Sequence, residues 1–182
     1  MRTITSMLLV VLLLAWHAAC AVEPAAKPPS ATNETAVAPM PPVTKEQVLA
    51  AIAMLETNAA SNDGLLASYE IVQFAQKSDL VSVRLTPGTI PWANSKGLEG
   101  KDAVNRILMG AYVGGEVRAQ LQAHNTIDNP YEGWVLVINT YRQMQKKKPE
   151  IVVPEVDALA EKQDKGELKS YAAEITNKEP KK

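Results

Sequence analysis

Apolar residues recur along this chain mostly at helical spacing, and the longest such stretch lies in its middle. In residues 101–121, KDAVNRILMGAYVGGEVRAQL, the positions Ala103, Ile107, Gly110, Gly114, Val117 and Leu121 fall at steps of three and four. They therefore share one side of a helix. Val104, Leu108, Ala111 and Tyr112 cover much of the other side, and a helix apolar around most of its circumference belongs inside a bundle. Gly110 and Gly114 form a small-xxx-small groove, a helix-packing notch where a second backbone can come close. Arg106, Glu116 and Arg118 argue against a membrane span. Each interior glycine costs roughly 1 kcal/mol of helix propensity against alanine, so these glycines need a packing reason or mark a break near Gly114 and Gly115. Packing is the expectation.

The same spacing predicts neighbours for this helix. Thr44 followed by Gln47 is a capping-box pattern, and Val48, Ile52 and Leu55 then repeat at helical intervals, which predicts a helix over 45–58. Ser61, Asn62, Asp63 and Gly64 are turn and cap residues opening a second helix to about Gln76, with Leu65, Tyr69 and Val72 on one face and Leu66, Ile71 and Phe74 widening it. The short connection predicts an antiparallel helical hairpin. Asn129, Pro130 and Glu132 supply N-cap, N1 and N3 for a further helix carrying Trp134, Val137, Ile138, Tyr141 and Met144, ended by Lys146, Lys147 and Lys148 before Pro149. Pro154 opens a shorter helix through Val156 and Leu159, Gly166 interrupts it, and Leu168, Tyr171 and Ile175 form a last turn or two.

Two stretches depart from this pattern. Val81, Val83 and Leu85 alternate with Ser82 and Arg84, so residues 80–85 are either an extended connector, the favoured reading, or a strand weakly paired with 151–153. Residues 86–100 hold Pro87, Gly88, Pro91, Gly97 and Gly100 around Ile90 and Trp92. That is long for a loop in a compact domain, and such loops often carry function. Trp92 is read as an aromatic pinning the loop to the core, with a partner or ligand contact as the rival role. The predicted fold is all-α: a compact bundle of about five helices with one or two short extended segments, over 44–176, with 177–182 a frayed tail.

Composition changes the picture at the N-terminus. Arg2, an apolar run over 7–15 and the small residues Ala18, Ala19, Cys20 and Ala21 follow the plan of a secretory signal over 1–21, and the run is too short to span a bilayer. Two endings compete. Ala19, Cys20 and Ala21 read as an A-x-A cleavage site. Alternatively, the lone cysteine after Ala18 and Ala19 resembles the lipobox of bacterial lipoproteins, which implies lipid attachment at Cys20 and, with Ala21 in place of aspartate, sorting to the outer membrane. His17 departs from the aliphatic residue usual in that motif. Residues 22–43, rich in proline and alanine and without apolar periodicity, read as a disordered tether spanning roughly 25 Å. Asn33 opens a glycosylation sequon that matters only in a eukaryotic secretory route.

The chemical inventory is thin. With 19 basic and 20 acidic residues intermixed, the chain offers no long-range attraction for nucleic acid or an anionic membrane. A single cysteine rules out an intramolecular disulfide, and after loss of the signal His124 is the one histidine left, read as a solvated loop residue. No G-x-S-x-G elbow or phosphate-binding glycine loop occurs, and the charges around Glu155 and Lys162 read as solvated helix surface. No catalytic, cofactor or metal residues are therefore assigned. Function is expected to be that of an exported, noncatalytic cell-envelope protein, periplasmic or on the outer membrane. It would bind another envelope protein or itself, with the membrane reached only through a lipid on Cys20. A small-ligand carrier or enzyme using the 86–100 loop is one alternative. The arrangement ILMGAYVGG followed by a helix ending in lysine and proline also resembles small exported helical immunity proteins of bacterial contact-dependent secretion, over some forty residues. Their cysteines are missing here. That resemblance implies inhibition of an envelope-targeting toxin.

Overall fold

A sequence whose apolar positions repeat at helical intervals buries them by laying helices side by side. The computed structural model describes residues 42–178, and every regular element among them is helical. Six α-helices follow in order: α1 Lys45–Asn58, α2 Asn62–Lys77, α3 Asp102–Ala123, α4 Pro130–Lys147, α5 Pro154–Asp164 and α6 Leu168–Lys178. Short 3-10 turns at Pro91–Asn94 and Lys96–Leu98 break up the segment between α2 and α3. The signal, tether, Cys20 and Asn33 fall outside the described residues.

Local chemistry accounts for the first two helices. Thr44 Oγ1 accepts the Gln47 N–H at 3.2 Å while Gln47 Oε1 accepts the Thr44 N–H at 2.8 Å, so both halves of the capping box form. Ser61 Oγ caps α2 by accepting the Gly64 N–H at 3.0 Å. Gly64 has no room for a side chain, since a Cβ there would lie 2.8 Å from the Ala59 carbonyl carbon. That close approach lets α2 fold back on α1.

The long helix α3 is the hub, packing on α1, α2 and α4. It runs unbroken through Gly114 and Gly115 and ends at His124, an exposed residue in the left-handed conformation at φ 52°. Ile107, Leu108, Ala111, Tyr112, Val113, Val117 and Leu121 are all buried along it. Around it lie Ile52 and Leu55 of α1, Ile71 and Phe74 of α2, and Trp134, Leu136, Ile138 and Met144 of α4. Helix α5 and helix α6 close the bundle against α4, where the Tyr171 ring stacks on Trp134 with centroids 5.3 Å apart.

Three expectations change, and residues 80–85 keep the favoured reading of an extended connector. The last turn or two is a full sixth helix, because Leu168 and Ala172 are buried and the helix continues through Asn177 and Lys178. Residues 80–85 and 151–153 form no strand among the described residues; their backbones are held by side chains instead. Tyr69 and Leu66, expected on the apolar face of the second helix, are 47% and 60% exposed, because that face is wider than the side of α2 that packs on α1 and α3. Asn129 precedes α4 without its side chain capping the helix.

Candidate functional site

Tyr112, Glu116 and Gln120 stand at four-residue intervals on α3, and so form one polar stripe among its buried residues. All three are buried, with Glu116 at 0% exposure. A carboxyl group so placed must be hydrogen-bonded or lose its charge. Glu116 Oε1 accepts the Tyr112 hydroxyl at 3.0 Å, and Oε2 accepts the Asn129 N–H at 2.6 Å and the Gln120 amide at 3.5 Å. Among the described residues no lysine, arginine or histidine pairs with it. Burial pushes the Glu116 carboxyl up to about 7, outweighing the donors that favour the ion, and nearby Asp128 pushes the same way. The Tyr112 hydroxyl is raised even further, first by burial and then by Glu116.

The stripe also anchors the irregular chain. Gln120 Oε1 accepts the Ser82 N–H and Gln120 Nε2 donates to the Ser82 carbonyl, both at 2.8 Å, so one side chain satisfies both backbone groups of a residue in the extended segment. Trp134 Nε1 donates to the Thr89 carbonyl at 2.7 Å. On the outside, Arg84 pairs with Asp128 at 3.6 Å. The sequence signal for this stripe was three polar residues four apart within the largely apolar stretch 107–121. Counting Tyr112 with the apolar positions, and Glu116 only as a charge against a membrane span, hid it.

A second feature lies on the outer face of α2. Leu66, Tyr69 and Val72 form, with Pro42, Val43 and Gln47, an open groove of about 880 Å³. Its polar lining is mostly amide, from Gln47, Gln73 and Gln76, with Glu70 and Lys77 as its charges. Leu66 and Glu70 also line an adjoining depression of about 390 Å³ with Met54 and Ala50 of α1. Arg106 lies over the Tyr69 ring, 5.4 Å from its centroid, and donates to its hydroxyl.

The residues singled out in the sequence are placed as follows. Trp92 is wholly buried, edge-on to Tyr112 at 6.3 Å, and its Nε1 has no hydrogen-bond partner. A ligand or partner reaches it only if the loop opens. Gly110 faces α2, where a Cβ would lie 2.7 Å from the Ser68 Cα, whereas Gly114 faces the side-chain ends of Ile52, Leu136 and Ile71 at 3.2 to 3.4 Å. The closest approach to α4 belongs to Gly115, whose Cβ would lie 2.7 Å from the Gly133 Cα. The ILMGAYVGG stretch is thus mostly interior: Ile107, Leu108 and all residues from Gly110 to Gly115 are buried.

Among the described residues no group of histidine, cysteine and acidic side chains could hold a metal ion, and no helix is long and apolar enough to cross a membrane. No protein family, curated protein or solved structure matches the chain.

Proposed function

We propose that this chain is an exported, noncatalytic cell-envelope protein that binds an amphipathic helix of another envelope protein in the α1–α2 groove. The observation carrying this reading is the exposure of Leu66 and Tyr69, at 60% and 47%, beside the partly buried Val72 in a groove of about 880 Å³. Large apolar side chains exposed together in a concave site favour a partner over solvent. Leu66, Tyr69 and Gln73 succeed one another at helical steps along α2, the geometry that takes a partner helix laid alongside. The amide-rich lining favours a partner face with little net charge. The signal-like N-terminus and the proline-rich tether support delivery to the envelope, with Cys20 as the attachment point if lipid is added.

Site-specific photocrosslinking in intact cells tests the binding reading. A photoreactive residue at Leu66 should capture a discrete partner, and the same probe at exposed Asn139 on α4 should not. A clean monomer with no adduct at Leu66 refutes it. Intact-mass analysis of the exported protein tests the anchor separately, by the presence or absence of a diacylglyceryl increment on Cys20.

A further inference from the structure

The polar stripe on α3 joins two pieces of chain that are not helical. Glu116 holds the turn before α4 through the Asn129 N–H at 2.6 Å, and Gln120, in contact with Glu116, holds the extended segment through both backbone groups of Ser82. The carboxyl group is fully buried, and no cation among the described residues compensates an ionised state. We propose that Glu116 is a proton-operated latch: with its proton on, the 80–90 segment and the 125–129 turn stay closed over α3, and losing the proton loosens both.

The groups facing Glu116 set the direction. From α3 come the Tyr112 hydroxyl and the Gln120 amide, and from the turn come the Asn129 N–H and the carboxylate of Asp128, which opposes a second negative charge. Arg84, on the extended segment, is engaged with Asp128 at 3.6 Å on the outer side. A protonated Glu116 needs an acceptor for its new hydrogen. Tyr112 Oη, 3.0 Å away, takes that role when the phenol turns its own hydrogen aside. Glu116 Oε2 still accepts the Asn129 N–H and the Gln120 amide. An ionised Glu116 keeps its donors but lacks water and a counter-charge, and it gains both hydration and distance from Asp128 when the overlying segment lifts.

The size of the effect follows from proton linkage. The carboxyl titrates near 7 when closed and near its ordinary 4.5 when opened to water. Opening therefore becomes more favourable as pH rises, by about thirtyfold between about pH 5.5 and 8.5. Amide hydrogen exchange in the full chain, corrected for intrinsic chemical rates, reads this directly. Protection of the Ser82 and Asn129 amides should fall by about that factor over this pH range, while mid-α4 amides such as Ile138, which exchange only through global unfolding, stay more strongly protected at every pH. Glu116→Gln should flatten the dependence. Flat wild-type protection, or an equal slope in the variant, overturns the latch. Should Glu116→Gln fail to fold, carbon NMR titration of the wild-type Glu116 carboxyl decides: a midpoint near neutrality with shifts shared by Ser82 and Asn129 supports it, and a midpoint near 4.5 overturns it.

Discussion

Adjacent glycines on α3 should respond to the same substitution with opposite signs. In the middle of a helix, alanine is worth about 1 kcal/mol more than glycine, so propensity alone makes both Gly114→Ala and Gly115→Ala stabilising. Packing separates them. A methyl at Gly114 meets Ile52 Cγ1, Leu136 Cδ2 and Ile71 Cδ1 at 3.2, 3.3 and 3.4 Å, all side-chain atoms that can give by a few tenths of an ångström. The expected net change is between zero and about 1 kcal/mol of added stability. A methyl at Gly115 meets backbone instead: it lies 2.7 Å from both the Glu132 carbonyl carbon and the Gly133 Cα, and closer still to the Glu132 oxygen. Carbon atoms prefer about 3.5 to 4.0 Å, so α4 must withdraw by nearly an ångström. That withdrawal disturbs Trp134, Leu136 and Val137, each at 0% exposure. Overpacking of this kind costs about 3 kcal/mol or more, leaving a net loss of about 2 kcal/mol after the propensity gain. Urea unfolding followed by the fluorescence of Trp92 and Trp134 measures both variants. Equal midpoints for the two, or a Gly115→Ala protein as stable as wild type, would show that α3 and α4 do not meet backbone to backbone at this point.

Other perturbations read other parts of the structure. Tyr141→Phe removes the hydroxyl that accepts the buried Val153 N–H at 2.9 Å and should cost about 1 to 3 kcal/mol in the same urea experiment, since the donor is left unpaired. Burial raises that phenol to about 12, so it stays protonated throughout the neutral range and alkaline spectrophotometric titration should find a late-titrating tyrosine. Gln120→Leu keeps the side-chain volume but strips both Ser82 backbone contacts; loss of Ser82 amide protection with the protection of α1 intact is the expected exchange pattern. Global stability should also depend on pH. The Glu116 carboxyl is raised in the folded state, so its contribution is fully present below about 4.5 and is lost as pH rises through about 7, a change of about 3 kcal/mol at most, and Glu116→Gln should remove that slope.

Local signals were legible where one segment carries both halves of an interaction. Thr44 with Gln47, and Ser61 with Gly64, are three residues apart, so the starts of α1 and α2 could be placed from the chain itself. The helical periods of α3 and α4 were equally plain, because their apolar residues outnumber any alternative face. Periodicity is silent, however, on which face meets a neighbour. Tyr69 and Leu66 continue the apolar spacing of α2 yet stay largely exposed at the rim of its packing with α1 and α3, and that surplus apolar surface is what forms the groove. The start of α4 shows the other gap. Asn129 is a natural cap by residue type, but its backbone N–H is taken by Glu116, thirteen residues earlier on a different helix. Nothing within the segment 125–132 could have signalled that partner.

The two faces of α3 explain why its sequence looks so mixed. Where it meets α2 and α4, the notches at Gly110 and Gly115 admit backbone, and close packing over a wide area holds those helices. The 80–90 segment has no helical face to offer and exposes Leu80 and Leu85, at 57% and 48%, so burial alone cannot fix its position. Directional hydrogen bonds from Gln120 and Trp134 do that, and they require polar groups inside the bundle. Glu116 follows from the same requirement, because the Gln120 amide and the Asn129 N–H both need an acceptor where water does not reach. A glutamine at 116 could meet part of that need without a titrating group. A carboxyl in its place makes the attachment of the irregular chain depend on the proton concentration outside the protein.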